Sequence, residues 1–262
     1  MKIGVFDSGF GGLTVLRALL DRMPLADYLY LGDTARLPYG AKSRATVARY
    51  AASSAQFLVA QGAEFLVIAC NTASALALDV IRDVASVPVL GVVETGANAA
   101  QASSATRDVL VIATAATVES HAYLLACEQR NLRALEKACP LLVPLVEEGW
   151  IEHPVTDEVL RIYISELMTQ AVDSALNPDT LVLGCTHYPL LRPQIERAVP
   201  GRWRVIDSAA VTAEQVAGML EASGGSGTTQ FYATDSVTKF RALGSRFLGR
   251  PIDGVELVDL GG

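Results

Sequence analysis

Lysine is scarce in this chain: Lys2, Lys42, Lys137 and Lys239 are the only four in 262 residues. Counting arginine, 21 basic residues face 28 acidic ones, for a formal charge of −7, and no basic run occurs. Phosphate neutralisation needs clustered cations, so a general binder of nucleic acid or of anionic membrane is excluded. Long apolar runs are absent as well. No stretch approaches 18 unbroken apolar residues, and the opening MKIGVFDSG lacks the apolar centre of a secretory signal. The expectation is a cytoplasmic protein with no membrane span. Cysteine is limited to Cys70, Cys127, Cys139 and Cys185, with no CxxC pair, which excludes a disulfide framework. Charged residues make up only 19% against 51% apolar, too few for a disordered chain.

What is present is a repeated unit: a short apolar run, then small polar residues, then a helical period. KIGVF (2–6) leads into Asp7-Ser8-Gly9 and the helix-like LTVLRALLDRM, and Tyr28–Leu31 leads into Gly32-Asp33-Thr34. FLVIA (65–69) ends in Cys70-Asn71-Thr72, Val109–Ile112 in Ala113-Thr114, Leu181–Leu183 in Gly184-Cys185-Thr186-His187, and Trp203–Ile206 in Asp207-Ser208. Apolar runs without alternation suit strands covered on both faces, and their alternation with helices predicts an α/β fold with parallel sheets. Ligands of such folds sit beyond the carboxyl ends of the strands, where the polar residues here collect. Ser, Thr, Asn and Asp there serve as helix caps, but capping does not call for cysteine. Two strand–Cys units, FLVIACNT and TLVLGCTH, look like a weak internal duplication. A break is expected near Glu94–Asn98, a linker at 224–227 (GGSG), a strand at Gln230–Ala233 and a helix over Ser236–Leu248.

Cys127 and Cys139 lack a polar strand-tip context and read as buried core thiols. For Cys70 and Cys185 several chemistries compete. Burial alone is one. A redox pair is disfavoured by the missing CxxC, and a zinc site would have only Cys-x-His plus a remote Cys, a spacing that matches no common zinc motif. The remaining reading is a pair of acid/base thiols on opposite faces of one carbon. Inversion at a carbon acid needs one base to take the proton and an acid on the other side to return one. At a strand-to-helix junction each thiol is expected to be drawn toward thiolate by amide N–H groups and the helix dipole. His187 is the candidate partner of Cys185, and Asp7 or Asp33 of Cys70. Racemisation with pyridoxal phosphate would require a Schiff-base lysine. None of the four lysines has suitable surroundings, so racemisation here should need no cofactor and no metal.

Six segments carry a resemblance: IGVFDSGFGGLTVL (3–16), YLGDTARLPYG (30–40), ACNTAS (69–74), PVLGVVETG (88–96), CPLLVPLVEEG (139–149) and LGCTHYPLL (183–191). With them the chain resembles the cofactor-independent glutamate racemases of the aspartate/glutamate racemase superfamily, over roughly Ile3–Leu248. DSGxGGLTVL and GCTHYPLL together are highly specific; GFGG is not a dinucleotide fingerprint. The resemblance implies two pseudo-symmetric open-sheet α/β domains, 1–95 plus 210–262 and 96–209, with glutamate in the cleft between them. It implies that Cys70 acts on the α-proton of D-glutamate and Cys185 on that of L-glutamate, supported by Asp7 and His187 respectively. Asp7, Ser8, Tyr39, Gly40, Asn71, Thr72, Thr114, Thr117, Thr186 and His187 match substrate-binding positions, and Asp33 and Glu147 match auxiliary acids. Ala113 stands where the family has glycine before Thr114, a change that matters only if the backbone there needs positive φ. A homodimer supplying D-glutamate for peptidoglycan is the implied setting. Racemisation of another small amino acid such as aspartate, and a non-catalytic regulatory role such as gyrase binding, are the alternatives.

Overall fold

The computed structural model describes residues 1–220 and 224–261. Residues 221–223 and 262, which fall in the expected returning segment 210–262, lie outside the described residues. Among the described residues ten strands form two wholly parallel sheets. They are β1 (Lys2–Asp7), β2 (Asp27–Gly32), β3 (Phe65–Ile68), β4 (Val89–Gly91), β5 (Asp108–Ala113), β6 (Arg133–Ala138), β7 (Thr180–Gly184), β8 (Arg204–Asp207), β9 (Thr229–Ala233) and β10 (Glu256–Leu257). The first sheet has the order β10-β9-β2-β1-β3-β4 and the second β6-β5-β7-β8. The core of the first, β2-β1-β3-β4, has the same connectivity as the second, so the suspected duplication is a duplication of topology. In this correspondence β3 matches β7, and the two strands lead to Cys70 and Cys185. Two α/β domains with parallel sheets are therefore present.

The strands form where the apolar runs predict, because both faces of each sheet are covered. Successive residues of β3 pack into different clusters: Val67 joins one with Ile3, Val5 and Leu16, while Leu66 and Ile68 join another with Val47 and Ala51. The first of these clusters also holds Leu110, Ile112, Leu181 and Leu183 from the second sheet, so the two domains share one apolar contact region. Helices Val92–Ser103 and Ser208–Met219 pack side by side there, and the Thr95 and Thr212 hydroxyls share a hydrogen bond of 2.7 Å.

The structure refines the sequence reading at three places. Near Glu94–Asn98, where a break is expected, the chain passes from the first sheet to the second within helix Val92–Ser103, and there Gly96 packs against Tyr123 and Thr95 hydrogen-bonds Thr212. Val92 and Val93 accordingly belong to that helix and not to the strand before it. RALEKA (133–138) carries no apolar run yet forms β6, an edge strand whose charges face outward or pair, as with Arg133 and Asp108 at 2.6 Å. The GGSG segment is less free than its composition suggests, since Asp27 Oδ1 accepts hydrogen bonds from the backbone N–H and hydroxyl of both Ser226 and Thr228. Ala113 is buried in β5 and is not among the residues of positive φ, so its methyl is accommodated. Among the described residues no helix is long and apolar enough to cross a membrane.

Candidate active site

Period-two alternation carries each thiol past its strand end. Cys70 continues the Leu66–Ile68 face of β3 and Cys185 the Leu181–Leu183 face of β7. Cys70 then caps helix Asn71–Leu76, its Sγ accepting from the Ala73 N–H and donating to Ser8 Oγ, both at 3.4 Å. Past Cys185 the chain turns into a 3-10 helix, Tyr188–Leu191, anchored by the Tyr188 hydroxyl on the Ala113 and Cys139 carbonyls. Both sulfurs belong to buried residues, and both residues line one cavity of about 550 Å³ between the domains.

The two thiols sit in different electrostatic surroundings. Burial, and then the charge of Asp7, push Cys70 up to about 12 against the opposing hydrogen bonds from Ser8 and Ala73. The expected helix-end activation of Cys70 is thus overridden: one turn of amides does not offset desolvation of a thiolate. Asp7 is itself buried and raised, chiefly by desolvation, with the nearby His187 opposing. Its Oδ2 accepts from the Gly9 N–H at 2.8 Å, while Oδ1 has no partner among the described residues. On the other side His187 Nδ1 stands 3.9 Å from Cys185 Sγ and its Nε2 3.2 Å from Glu147 Oε1. Burial works against the imidazolium, but Cys185 and Glu147 outweigh it and push His187 up to about 10. Glu147 is held below the usual glutamate range, first by the His187 hydrogen bond, and Lys239 approaches it at 3.9 Å. The Phe247 ring meets the imidazole edge-on at a centroid distance of 5.0 Å.

Hydroxyls and amides fill the wall between the sulfurs. Thr72 comes from the first domain, and Thr114 and Thr117 from the second. Their hydroxyls lie 3.0 Å (Thr72–Thr114), 2.9 Å (Thr114–Thr117) and 3.3 Å (Thr72–Thr117) apart. Asn71 Oδ1 accepts from the Tyr123 hydroxyl at 2.6 Å, which leaves the buried Nδ2 donor unpartnered beside the cavity. Gly40 abuts the Thr114 side chain, and a Cβ added there would stand 3.1 Å from Thr114 Cβ. Ser8, Tyr39, Gly40, Asn71, Thr72, Thr114, Glu147, Thr186 and His187 all line the cavity with the two cysteines. Asp7, Thr117 and Asp33 do not. Thr117 stands behind Thr114, and Asp33 holds Tyr39 from behind, accepting its hydroxyl at 2.5 Å along with Arg36 at 3.3 Å and Thr234 at 2.8 Å. Cys127 and Cys139 are fully buried away from it. Among the described residues no group of three or more His, Cys, Asp and Glu side chains is placed to hold a metal ion.

Lys42 and Glu119 line the cavity too, from opposite domains, as do the apolar Pro140, Val143 and Pro144. In the sequence Lys42 is set aside as a cofactor lysine, and only its closeness to Tyr39 and Gly40 in the chain hinted at the site.

The His187–Glu147 pair makes stability depend on pH. A histidine raised from 6.5 to about 10 binds its proton more tightly in the folded state. Its contribution is complete below pH 6.5 and is lost as the pH rises toward about 10. Denaturant unfolding at pH 6.5 and 8.5 should therefore show a decline in stability that His187→Gln reduces; equal slopes in the two proteins would contradict the assignment.

The pattern of the family described as Asp/Glu/Hydantoin racemase matches residues 14–216. A glutamate racemase of Koribacter versatilis is 53% identical over 99% of this chain and 98% of that protein. Among solved structures, the glutamate racemase of Francisella tularensis in complex with D-glutamate has a TM-score of 0.89 at 35% identity, covering 99% of this chain and 97% of that one. The glutamate racemase of Thermus thermophilus in complex with β-chloro-D-alanine has a TM-score of 0.86 at 45% identity, covering 99% and 97%.

Proposed function

Since the chain belongs to the Asp/Glu/hydantoin racemase family, and within it to the glutamate racemases, we propose that it interconverts L- and D-glutamate by a two-thiol mechanism in which Cys70 and Cys185 act on opposite faces of the α-carbon. The observation that carries this reading is the pair of buried cysteines at equivalent strand ends of two duplicated sheets, opening into one cavity. One cysteine, as thiolate, takes the α-proton. The other, as thiol, gives its proton to the opposite face of the resulting carbanion, and the thiol and thiolate have then exchanged places.

The resting enzyme is asymmetric. Cys70, pushed up to about 12, keeps its proton at neutral pH, and the His187 imidazolium beside Cys185 is placed to stabilise negative charge on that sulfur when it acts as the base. That state is ready to take the α-proton of L-glutamate at Cys185 and to protonate from Cys70. Asp7 Oδ1, buried and without a partner among the described residues, is available to accept the Cys70 proton when the reaction starts from D-glutamate. Ser8, Asn71, Thr72, Thr114 and Thr186 offer donors for the substrate carboxylates, with Thr117, Tyr39 and Asp33 holding this wall in place.

We take 1–95 with 210–262 as the first domain and 96–209 as the second. The strand membership of the sheets supports this, the two crossings lying in the paired helices Val92–Ser103 and Ser208–Met219. The setting is a cytoplasmic homodimer supplying D-glutamate for peptidoglycan, and light scattering of the purified protein tests the dimer. Substrate identity is tested by circular dichroism with L-glutamate and L-aspartate. Loss of optical activity with glutamate at the higher kcat/KM supports the proposal, and equal or reversed preference overturns the glutamate assignment.

A further inference from the structure

The charged side chains that line the cavity are Lys42, Glu119, Glu147 and His187. Glu147 and His187 are paired with each other at 3.2 Å, and Lys239 lies on the far side of Glu147 at 3.9 Å. Glu119 is exposed. Lys42 is the remaining cation, and it makes no ion pair or side-chain hydrogen bond with any described residue.

Its backbone, by contrast, is fixed. Lys42 N–H donates to the Tyr39 carbonyl at 3.0 Å, closing the 3-10 turn Tyr39–Ala41. The neighbouring Ser43 caps helix Arg44–Ala60 by accepting from the Thr46 N–H at 3.4 Å. Tyr39 in turn is tied to buried Asp33. A partly buried lysine, whose side chain has no ion pair or hydrogen bond among the described residues, therefore stands on a hydrogen-bonded turn at the wall of a cavity whose other polar lining is mostly neutral.

Resting on the glutamate reading above, we propose that Lys42 is a substrate-binding residue whose ammonium pairs with the side-chain carboxylate of the bound amino acid and so selects for acidic substrates. The α-carbon must lie between Cys70 and Cys185, and its carboxylate and ammonium are served by the hydroxyls and the Asn71 amide around them. The side-chain carboxylate has to point away from the sulfurs, and along the Tyr39–Lys42 wall it meets Lys42, the one cation lining the cavity that has no ion pair among the described residues. An unpaired lysine facing a dicarboxylate also favours capture of the substrate from solution, an effect that salt screens.

The test is steady-state kinetics of the full chain with Lys42→Met and Lys42→Arg, in low and high sodium chloride, with thermal melts to establish folding. Loss of a charge-assisted hydrogen bond is expected to raise KM for glutamate about tenfold or more while kcat stays within about threefold. The arginine variant should recover most of the affinity, and the salt dependence of KM seen in the wild type should flatten in the methionine variant. An unchanged KM in Lys42→Met, with the wild type active on glutamate, overturns the role of Lys42 and leaves the racemase reading standing. A fall in kcat alone, reproduced by Glu119→Gln, would make Lys42 and Glu119 a latch across the mouth and would equally overturn carboxylate pairing. A wild type inactive on glutamate would overturn the racemase reading itself, and the inference with it.

Discussion

Replacing either Cys70 or Cys185 by Ala is expected to reduce racemisation by at least about a hundredfold, the lower end of what a positioned acid or base contributes. In the proposed mechanism neither loss is offset by the surviving thiol, because each sulfur is assigned to one face of the α-carbon only. A single base would return the proton to the face it came from. Since both side chains are small and buried, alanine removes little volume, and the fold should persist in both variants. Retention of wild-type turnover in either one, followed by circular dichroism with L- or D-glutamate, would contradict the two-thiol assignment. Replacing the core thiols Cys127 or Cys139 by Ala should leave the chemistry intact while lowering stability. That contrast separates catalytic from structural cysteine.

The second large effect is expected from one added methyl. Gly11 begins the chain's approach to the second domain, and a Cβ there would stand 2.2 Å from Thr186 Oγ1 and 2.7 Å from His187 Nδ1. Neither neighbour has an easy retreat. The imidazole is held by Glu147 and by the Phe247 ring, and the Thr186 carbonyl accepts from the Thr14 hydroxyl at 3.1 Å. Gly11→Ala should therefore push His187 away from Cys185 and loosen the contact between domains. We expect a cost of about 1–3 kcal/mol in stability and a fall in kcat of about tenfold or more. Gly201→Ala, where an added Cβ meets nothing within 4 Å, serves as the control. Equal melting temperatures and equal kcat for the two variants would show that the close approach at Gly11 has no functional weight.

The clash at Gly11 also shows what sequence reasoning reaches and where it stops. Glycines 9, 11 and 12 read as residues that let backbone come close, but what comes close to Gly11 is a side chain 175 residues later, at Thr186, and no local pattern encodes that pairing. Strand positions were legible because both faces of most strands are covered, so β1, β3, β5 and β7 appear as unbroken apolar runs. β6 escaped notice because an edge strand can keep Arg133, Glu136 and Lys137. Cys70 and Cys185 stood out because cysteine is an odd choice for a helix start. Their electrostatics did not, since the desolvation that pushes Cys70 up depends on tertiary packing around it. Glu147 entered the sequence reading through resemblance only, and its contact with His187 comes from a helix, Leu142–Glu147, brought over by tertiary packing. Lys42 was set aside as a cofactor lysine, although it lies two residues beyond the matched motif that ends at Gly40.

Isotope incorporation bears most directly on the two opposed sulfurs. L-Glutamate is incubated with the enzyme in D₂O, and NMR follows the α-position of both the D-glutamate formed and the L-glutamate left at low conversion. Protonation from the second thiol, equilibrated with solvent, predicts deuterium at the α-carbon of nearly every D-glutamate formed while the remaining L-glutamate stays largely protiated. Substantial protium carried over into D-glutamate, or deuterium entering unreacted L-glutamate as fast as product forms, would mean that one group serves both faces, and the paired-thiol account would fall.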